Sequence, residues 1–240
     1  MKKIFLLFAL IFSLGAVFAQ EPAIFNDPDA RPRNLGGPFH AIDVSDGIEL
    51  FLVAGTTDQL AVSLADQSYD DKFKTEVVDG VLKIYYKRDQ MKIPKGRKLN
   101  LKAYVSCKNL DQLEASAGSS VHLPEGITVP KLSVKLTSGA HMEGRVDIGD
   151  LRIVQNSGSV IQITGKSGSA DLDLSSGATF KSPDFSTRAC TAEASSGARI
   201  RIGIQDELVA KATSGGSIHY NGTGVIKDIK VNSGGVVKKV

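Results

Sequence analysis

The sequence predicts an all-β chain whose second half is a right-handed parallel β-helix of about 19–20 residues per rung. Three observations predict it: short runs of alternating apolar residues, Ser-Gly turns that recur at a near-constant interval, and flanking columns that alternate between apolar and charged.

The alternation comes first. Ile42 and Val44, then Ile48, Leu50 and Leu52, then Leu60, Val62 and Leu64 each lie two residues apart, the period of a strand with one buried and one wet face. Asp79-Gly80 stands between Val77-Val78 and Val81-Leu82, and that dipeptide accepts the positive φ angles of a tight turn. A hairpin of about 73–78 with 81–87 follows. Residues 88–98 are basic and hold Pro94 and Gly96, which predicts a loop before a strand at 99–105.

The repeat appears when glycines are aligned. Gly118, Gly139, Gly158, Gly177, Gly197, Gly215 and Gly234 are separated by 21, 19, 19, 20, 18 and 19 residues. Ala117, Ser138, Ser157, Ser176, Ser196, Ser214 and Ser233 precede them, so each copy carries a small, turn-forming pair.

The columns beside these turns set the architecture. Five residues before the glycine stand Leu113, Val134, Ile153, Leu172, Ala192, Ala210 and Ile229. Three before stand Ala115, Leu136, Gln155, Leu174, Ala194, Ala212 and Val231. Between them runs the mostly charged column Glu114, Lys135, Val154, Asp173, Glu193, Lys211 and Lys230. Three after the glycine are Val121, Met142, Ile161, Phe180, Ile200, Ile218 and Val237. A unit this short cannot bury its own apolar face, whereas stacking units ~4.8 Å apart makes one continuous core. The handedness rule for parallel crossovers predicts right-handed coiling.

The expected boundaries are a signal peptide at 1–19, a Pro- and Gly-rich linker at 20–38, an N-terminal β region with a hairpin at 39–108, and the Ser-Gly β-helix at 109–240, continuous with it. Lys2 and Lys3 followed by the apolar Ile4–Phe18 and then Ala19 give the form of an export signal, and the apolar run is too short for a membrane span. Losing that segment removes two lysines and no acids, taking the formal charge from +3 to +1. A chain so nearly neutral is not built for nucleic acid. The expected location is the periplasm, the outer membrane or the cell exterior.

Little chemistry is legible. The corner hydroxyls are explained by turn satisfaction, and no Ser stands in a Gly-x-Ser-x-Gly elbow. His122 and His219 share a column but five rungs apart, about 24 Å, so they cannot hold one metal. Cys107 and Cys190 are expected about four rungs apart, too far for a disulfide. No cofactor is implied. Asp171 and Asp173 point the same way and Glu193 follows one rung on, forming an outward acidic patch that suits a sugar or a cation, in a column that also carries Lys135, Lys211 and Lys230. The run Lys87-Arg88, Lys92, Lys95, Arg97 and Lys98 reads as a charged loop that guards an edge strand.

Phe39, Ile42, Val44, Gly47 and Ile48 opening a β segment, the strand Asp79-Gly80-Val81-Leu82-Lys83-Ile84, and serial Ser-Gly-Ala or Ser-Gly-Ser corners together resemble the "putative auto-transporter adhesin, head GIN domain" family of secreted Bacteroidetes-type proteins. The resemblance covers about 39–240. It implies an exported β-helical protein and carries no catalytic residues with it. The expected function is therefore non-enzymatic: a cell-envelope or surface protein that binds glycan or protein along a β-helix face. The alternatives are a polysaccharide-active β-helix enzyme using Asp171, Asp173 and Glu193, and a purely structural envelope component.

Overall fold

The computed structural model describes residues 27–87 and 99–240. The expected signal peptide, the start of the linker and the basic loop at 88–98 lie outside the described residues. Strands β1 (Arg31–Pro32), β2 (Ala41–Val44), β3 (Glu49–Ala54) and β4 (Gln59–Ser63) precede a short 3-10 turn at Gln67–Lys72. Then come β5 (Phe73–Val78), β6 (Val81–Tyr86), β7 (Lys102–Cys107) and β8 (Gln112–Ala115). The long strands β9 (Ser120–Leu136), β10 (His141–Gln155), β11 (Val160–Leu174), β12 (Thr179–Ala194) and β13 (Arg199–Ala212) build the middle. Strands β14 (Ser217–Asn221), β15 (Val225–Val231) and β16 (Val236–Lys239) complete the order.

Every ladder from β8 onward is parallel. Each strand pairs with its equivalent one repeat later: Ile153 sits beside Leu172, Leu172 beside Ala192, and Ala192 beside Ala210. The chain is thus a β-solenoid, with the predicted apolar columns stacked inside. Leu113, Val134, Ile153, Leu172, Ala192 and Ala210 are all buried, as are Val121, Met142, Ile161, Phe180, Ile200 and Ile218. Gln155, between Leu136 and Leu174 in one of the inward columns, is buried with its Oε1 unpartnered.

The corners are tighter than the sequence pattern required. Ser176 has φ 52° and Gly177 φ 72°, and the Ala178 N–H donates to the Ser175 carbonyl at 3.1 Å. Two successive positive φ angles closed by that bond make a type I′ turn. The left-handed conformation therefore falls on the residue before the glycine as well as on the glycine expected to carry it, at Ala117 in the first corner and at serine in the other six. Successive corners are tied together: the Gly177 N–H donates to the Ser196 carbonyl at 3.1 Å, and the same bond joins Gly118 to Ser138 and Gly215 to Ser233. Asp46 and Gly47, with φ 63° and 72°, form an eighth such corner far upstream of the periodic series.

That eighth corner belongs to an interleaved rung. β2 lies between β6 and β8, and β3 between β7 and β9, all parallel. Beyond β6 and β7 the pairing reverses. β5 joins β6 as the expected hairpin through Asp79 and Gly80, β4 lies antiparallel to β7, and β1 lies antiparallel to β4. The part of the expected linker that is described, 27–38, runs along this edge, where Leu35 packs on the core and the Tyr104 hydroxyl donates to Asp27 at 2.6 Å.

Candidate binding surface

Uneven repeat length shapes the outer surface. Opposite Gly144, Arg145 and Val146 of β10, the preceding strand runs from Leu123 to Ile127, so Pro124, Glu125 and Gly126 must bulge where the neighbour has one residue. These residues lie within the 21-residue interval from Gly118 to Gly139. The bulge walls an outward groove of about 670 Å³ whose lining includes Phe51, His122, Pro124, Glu143, Arg145 and Gln162.

One column runs from buried Tyr104 into the groove, which its next four members line. Tyr104, Phe51, His122, Glu143 and Gln162 are register neighbours on successive strands. Phe51 stacks on Tyr104 with ring centroids 5.1 Å apart, and on His122 at 5.0 Å, with interplanar angles of 19° and 22°. The ~4.8 Å strand spacing nearly matches a ring-stacking distance, so one column can carry a continuous aromatic ladder. Burial, and then the hydrogen bond to Asp27, push the Tyr104 hydroxyl pKa well up, while that same bond holds the Asp27 carboxyl below its usual range.

The ladder turns polar at Glu143. His122 Nδ1 lies 2.8 Å from one Glu143 oxygen and His141 Nε2 lies 3.4 Å from the other, and these contacts, His122 first, lower the Glu143 pKa. The groove thus offers an aromatic face beside a fixed carboxylate, with Arg145 and the Gln162 amide also on its lining. An aromatic ring packs against the C–H face of a sugar or against an apolar side chain, while amide, carboxylate and guanidinium groups answer hydroxyls.

The predicted acidic patch lies elsewhere. Asp173 and Glu193 are register neighbours, and Asp171 stands two residues before Asp173 on β11. Asp171 accepts from Arg152 at 2.5 Å and Glu193 from Lys211 at 2.9 Å, so two of the three are engaged by cations on adjoining rungs. Glu114 and Lys135 do the same at 3.0 Å further along the column. Asp43, beside Glu114, has a raised pKa, from partial burial first and the neighbouring acid second. A second, smaller groove of about 360 Å³ has Asp171, Thr191 and Glu207 in its lining.

His122 and His219 stand five ladder steps apart, as expected, and His40 meets Asp111 at 3.0 Å. The contact of His122 and His141 with one glutamate was not foreseen. It joins residues 19 apart in sequence that lie on adjacent rungs, and the 21-residue interval was the only signal for this region. Among the described residues, no group of three potential ligands is placed to hold a metal ion. Cys107 and Cys190 are buried and separated by the ladder β7–β3–β9–β10–β11–β12, five strand spacings or about 24 Å. Burial raises their thiol pKa values to about 11 and about 12.

The family model described as "Putative auto-transporter adhesin, head GIN domain" matches residues 38–224. No curated protein matches the sequence. Among solved structures, a putative adhesin from Bacteroides fragilis superposes with a TM-score of 0.79 at 16% identity, covering 88% of this chain and 96% of that one. A putative adhesin from Parabacteroides merdae gives 0.67 at 18% identity, over 88% and 95% of the two chains. A putative lipid binding protein from Parabacteroides distasonis gives 0.63 at 18% identity, over 90% and 97%. At these identities the likeness is one of fold.

Proposed function

The chain belongs to the family of putative auto-transporter adhesin head GIN domains, and from that premise we propose that it is an exported, non-enzymatic envelope or surface protein that binds glycan along the solenoid face, in the groove beside Phe51. One observation carries the reading: the Phe51–His122 stack borders a groove of about 670 Å³ whose lining also includes Glu143, Arg145 and Gln162. Elsewhere on the outer face, charges pair between rungs, as at Arg152–Asp171, Lys211–Glu193, Lys135–Glu114 and Arg188–Asp206. Surface pairs of this kind are worth about 0–1 kcal/mol each.

Calorimetric titration of the protein with a panel of neutral and acidic oligosaccharides tests the proposal. Binding to at least one class is expected, weakened about tenfold or more by Phe51→Ala, in keeping with the ~1–3 kcal/mol cost of truncating a central aromatic contact. Binding that Phe51→Ala leaves untouched would move the site elsewhere, first to Asp173 and Glu193, where Asp173 stands without an ion pair among the described residues. New reducing or unsaturated ends in the mixture would show an enzyme instead. Because one structural relative is described as lipid-binding, phospholipid vesicles belong in the same panel, and the proposal expects no uptake by them.

A further inference from the structure

The strand segments that follow the corners carry their charge differently from those that precede them. Ahead of the corners, outward acids and cations mix and pair across rungs, as at Lys135–Glu114, Arg152–Asp171 and Lys211–Glu193. After the corners, the column that lines the groove with Phe51, His122, Glu143 and Gln162 turns basic. Gln162 and Lys181 each follow a member of the Ile161–Phe180 pair, Lys181 lies beside Arg201, and Arg201 beside His219. Arg199 stands two residues before Arg201 on β13, between Thr179 and Ser217. Lys181, Arg199 and Arg201 are exposed, and none of them meets a carboxylate among the described residues. The acids nearest to them in sequence do not pair with them: Asp184 stands apart, and Asp206 takes Arg188 at 3.0 Å. Like charges directly opposite each other on adjacent strands are destabilising. Lys181 beside Arg201 is therefore a cost within the fold that a bound anion would relieve.

We infer that the ligand of this face is an anionic glycan, whose carboxylate or sulfate groups are held by Lys181, Arg199 and Arg201 while the adjoining sugars occupy the groove; this rests on the groove reading proposed above. Guanidinium groups hold an oxyanion through two parallel N–H donors, and a lysine adds a point charge beside them. The polar groups interleaved with the cations, Gln162, Thr179 and Ser217, answer sugar hydroxyls. A bilayer fits poorly, because the apolar residues between the cations, Ile200, Ile202 and Ile218, are at most 1% exposed and leave nothing to enter the acyl region. A nucleic acid carries a phosphate at every unit and would set one against Glu143, whereas a glycan can place an uncharged sugar there.

The test is titration of the full chain with two acidic oligosaccharides, one from hyaluronan and one from kappa-carrageenan, beside the carboxyl-reduced and desulfated forms of each. At least one acidic oligosaccharide is expected to bind about tenfold or more tightly than its neutral form, and the advantage should shrink as salt is raised. The double variant Arg199→Gln, Arg201→Gln should remove that advantage, and Lys181→Gln should reduce it, while Phe51→Ala weakens acidic and neutral forms alike. No preference for the acidic forms, or a preference that these cation variants leave intact, overturns the inference without touching the groove reading. Acidic binding that needs Arg199 and Arg201 but ignores Phe51→Ala overturns the groove reading and keeps the anion site. Equally tight binding of a single-stranded oligonucleotide of the same charge, or uptake by anionic vesicles, overturns the inference, since charge alone would then suffice.

Discussion

The two ends of the solenoid are closed by different means. At the N-terminal end the ladders turn from parallel to antiparallel: β5 lies on β6, β4 on β7 and β1 on β4, and the segment from Asp27 is pinned to Tyr104. Phe73, Leu60 and Val62 of these strands are buried. At the C-terminal end the parallel pattern simply runs on to β15 and β16, and the inward columns meet solvent. A stack of identical rungs has no intrinsic stop, because each rung exposes the same edge it covers. A change of strand direction provides one, and among the described strands it occurs at the first end. The difference predicts an uneven distribution of stability along the described stack, with the antiparallel end the firmer.

The largest test of this contrast is a matched pair of truncations. Phe73→Ala, in the cap, is expected to cost about 3–5 kcal/mol in denaturant unfolding, as for other buried phenylalanines. Ile229→Ala, at the open end, should stay within about 0.5 kcal/mol. Equal costs would mean that the last rung is covered in solution. A second pair uses the corners. Gly177→Ala, with φ +72° inside the stack, should destabilise by about 1 kcal/mol through backbone strain alone, because a Cβ there would meet no atom within 4 Å. Gly234→Ala carries the same strain on a rung that opens independently, so its effect on global unfolding should be smaller.

Between the ends, Gln155→Leu should change stability by less than about 1 kcal/mol, since it removes a buried, unpartnered carbonyl from an apolar column together with the bonds that Nε2 donates to the Thr179 carbonyl at 3.3 Å and the Ser159 hydroxyl at 3.4 Å. Thermal unfolding reads this directly, and a loss of several kcal/mol would show that those bonds hold the rungs together.

The smallest effect concerns the cap in acid. Asp27 is held below its usual pKa mainly by the Tyr104 hydroxyl, so its contribution is present above the unfolded value near 3.8 and is lost as pH falls through the lower folded value. Tyr104 resonances should therefore shift below about pH 4 while those of β13 to β16 stay in place, and Tyr104→Phe should abolish that transition.

The solenoid was legible in the sequence because its cause is local and repeated. Each Ser-Gly pair and each apolar column recurs, so periodic reading recovered the corners, the inward faces and the hairpin at Asp79-Gly80. The interleaved rung at Asp46-Gly47 escaped that reading because β2 and β3 pair with strands on either side that come later in the chain. Nothing in the spacing of 41–54 announces those partners. The groove escaped for a related reason. Phe51, His122 and Glu143 come from three strands whose separations in sequence differ, and they meet only through ladder register. The 21-residue interval was visible, but an interval alone does not say which way a bulge points. Asp173 and Glu193 are register neighbours, yet the arginine and lysine partners of Asp171 and Glu193 follow from which side chains reach across a rung, which columns do not reveal.

Native-state hydrogen exchange tests the asymmetry of the two ends most directly. Amides of β4, β5 and β7 are expected to exchange only through global unfolding, with opening free energies equal to that from denaturant. Amides of β15 and β16 that bond to β13 and β14 are expected to open locally, at no more than about half that value. Equal protection at both ends would contradict the account, because it would require the last rung to be closed by something other than the strands described.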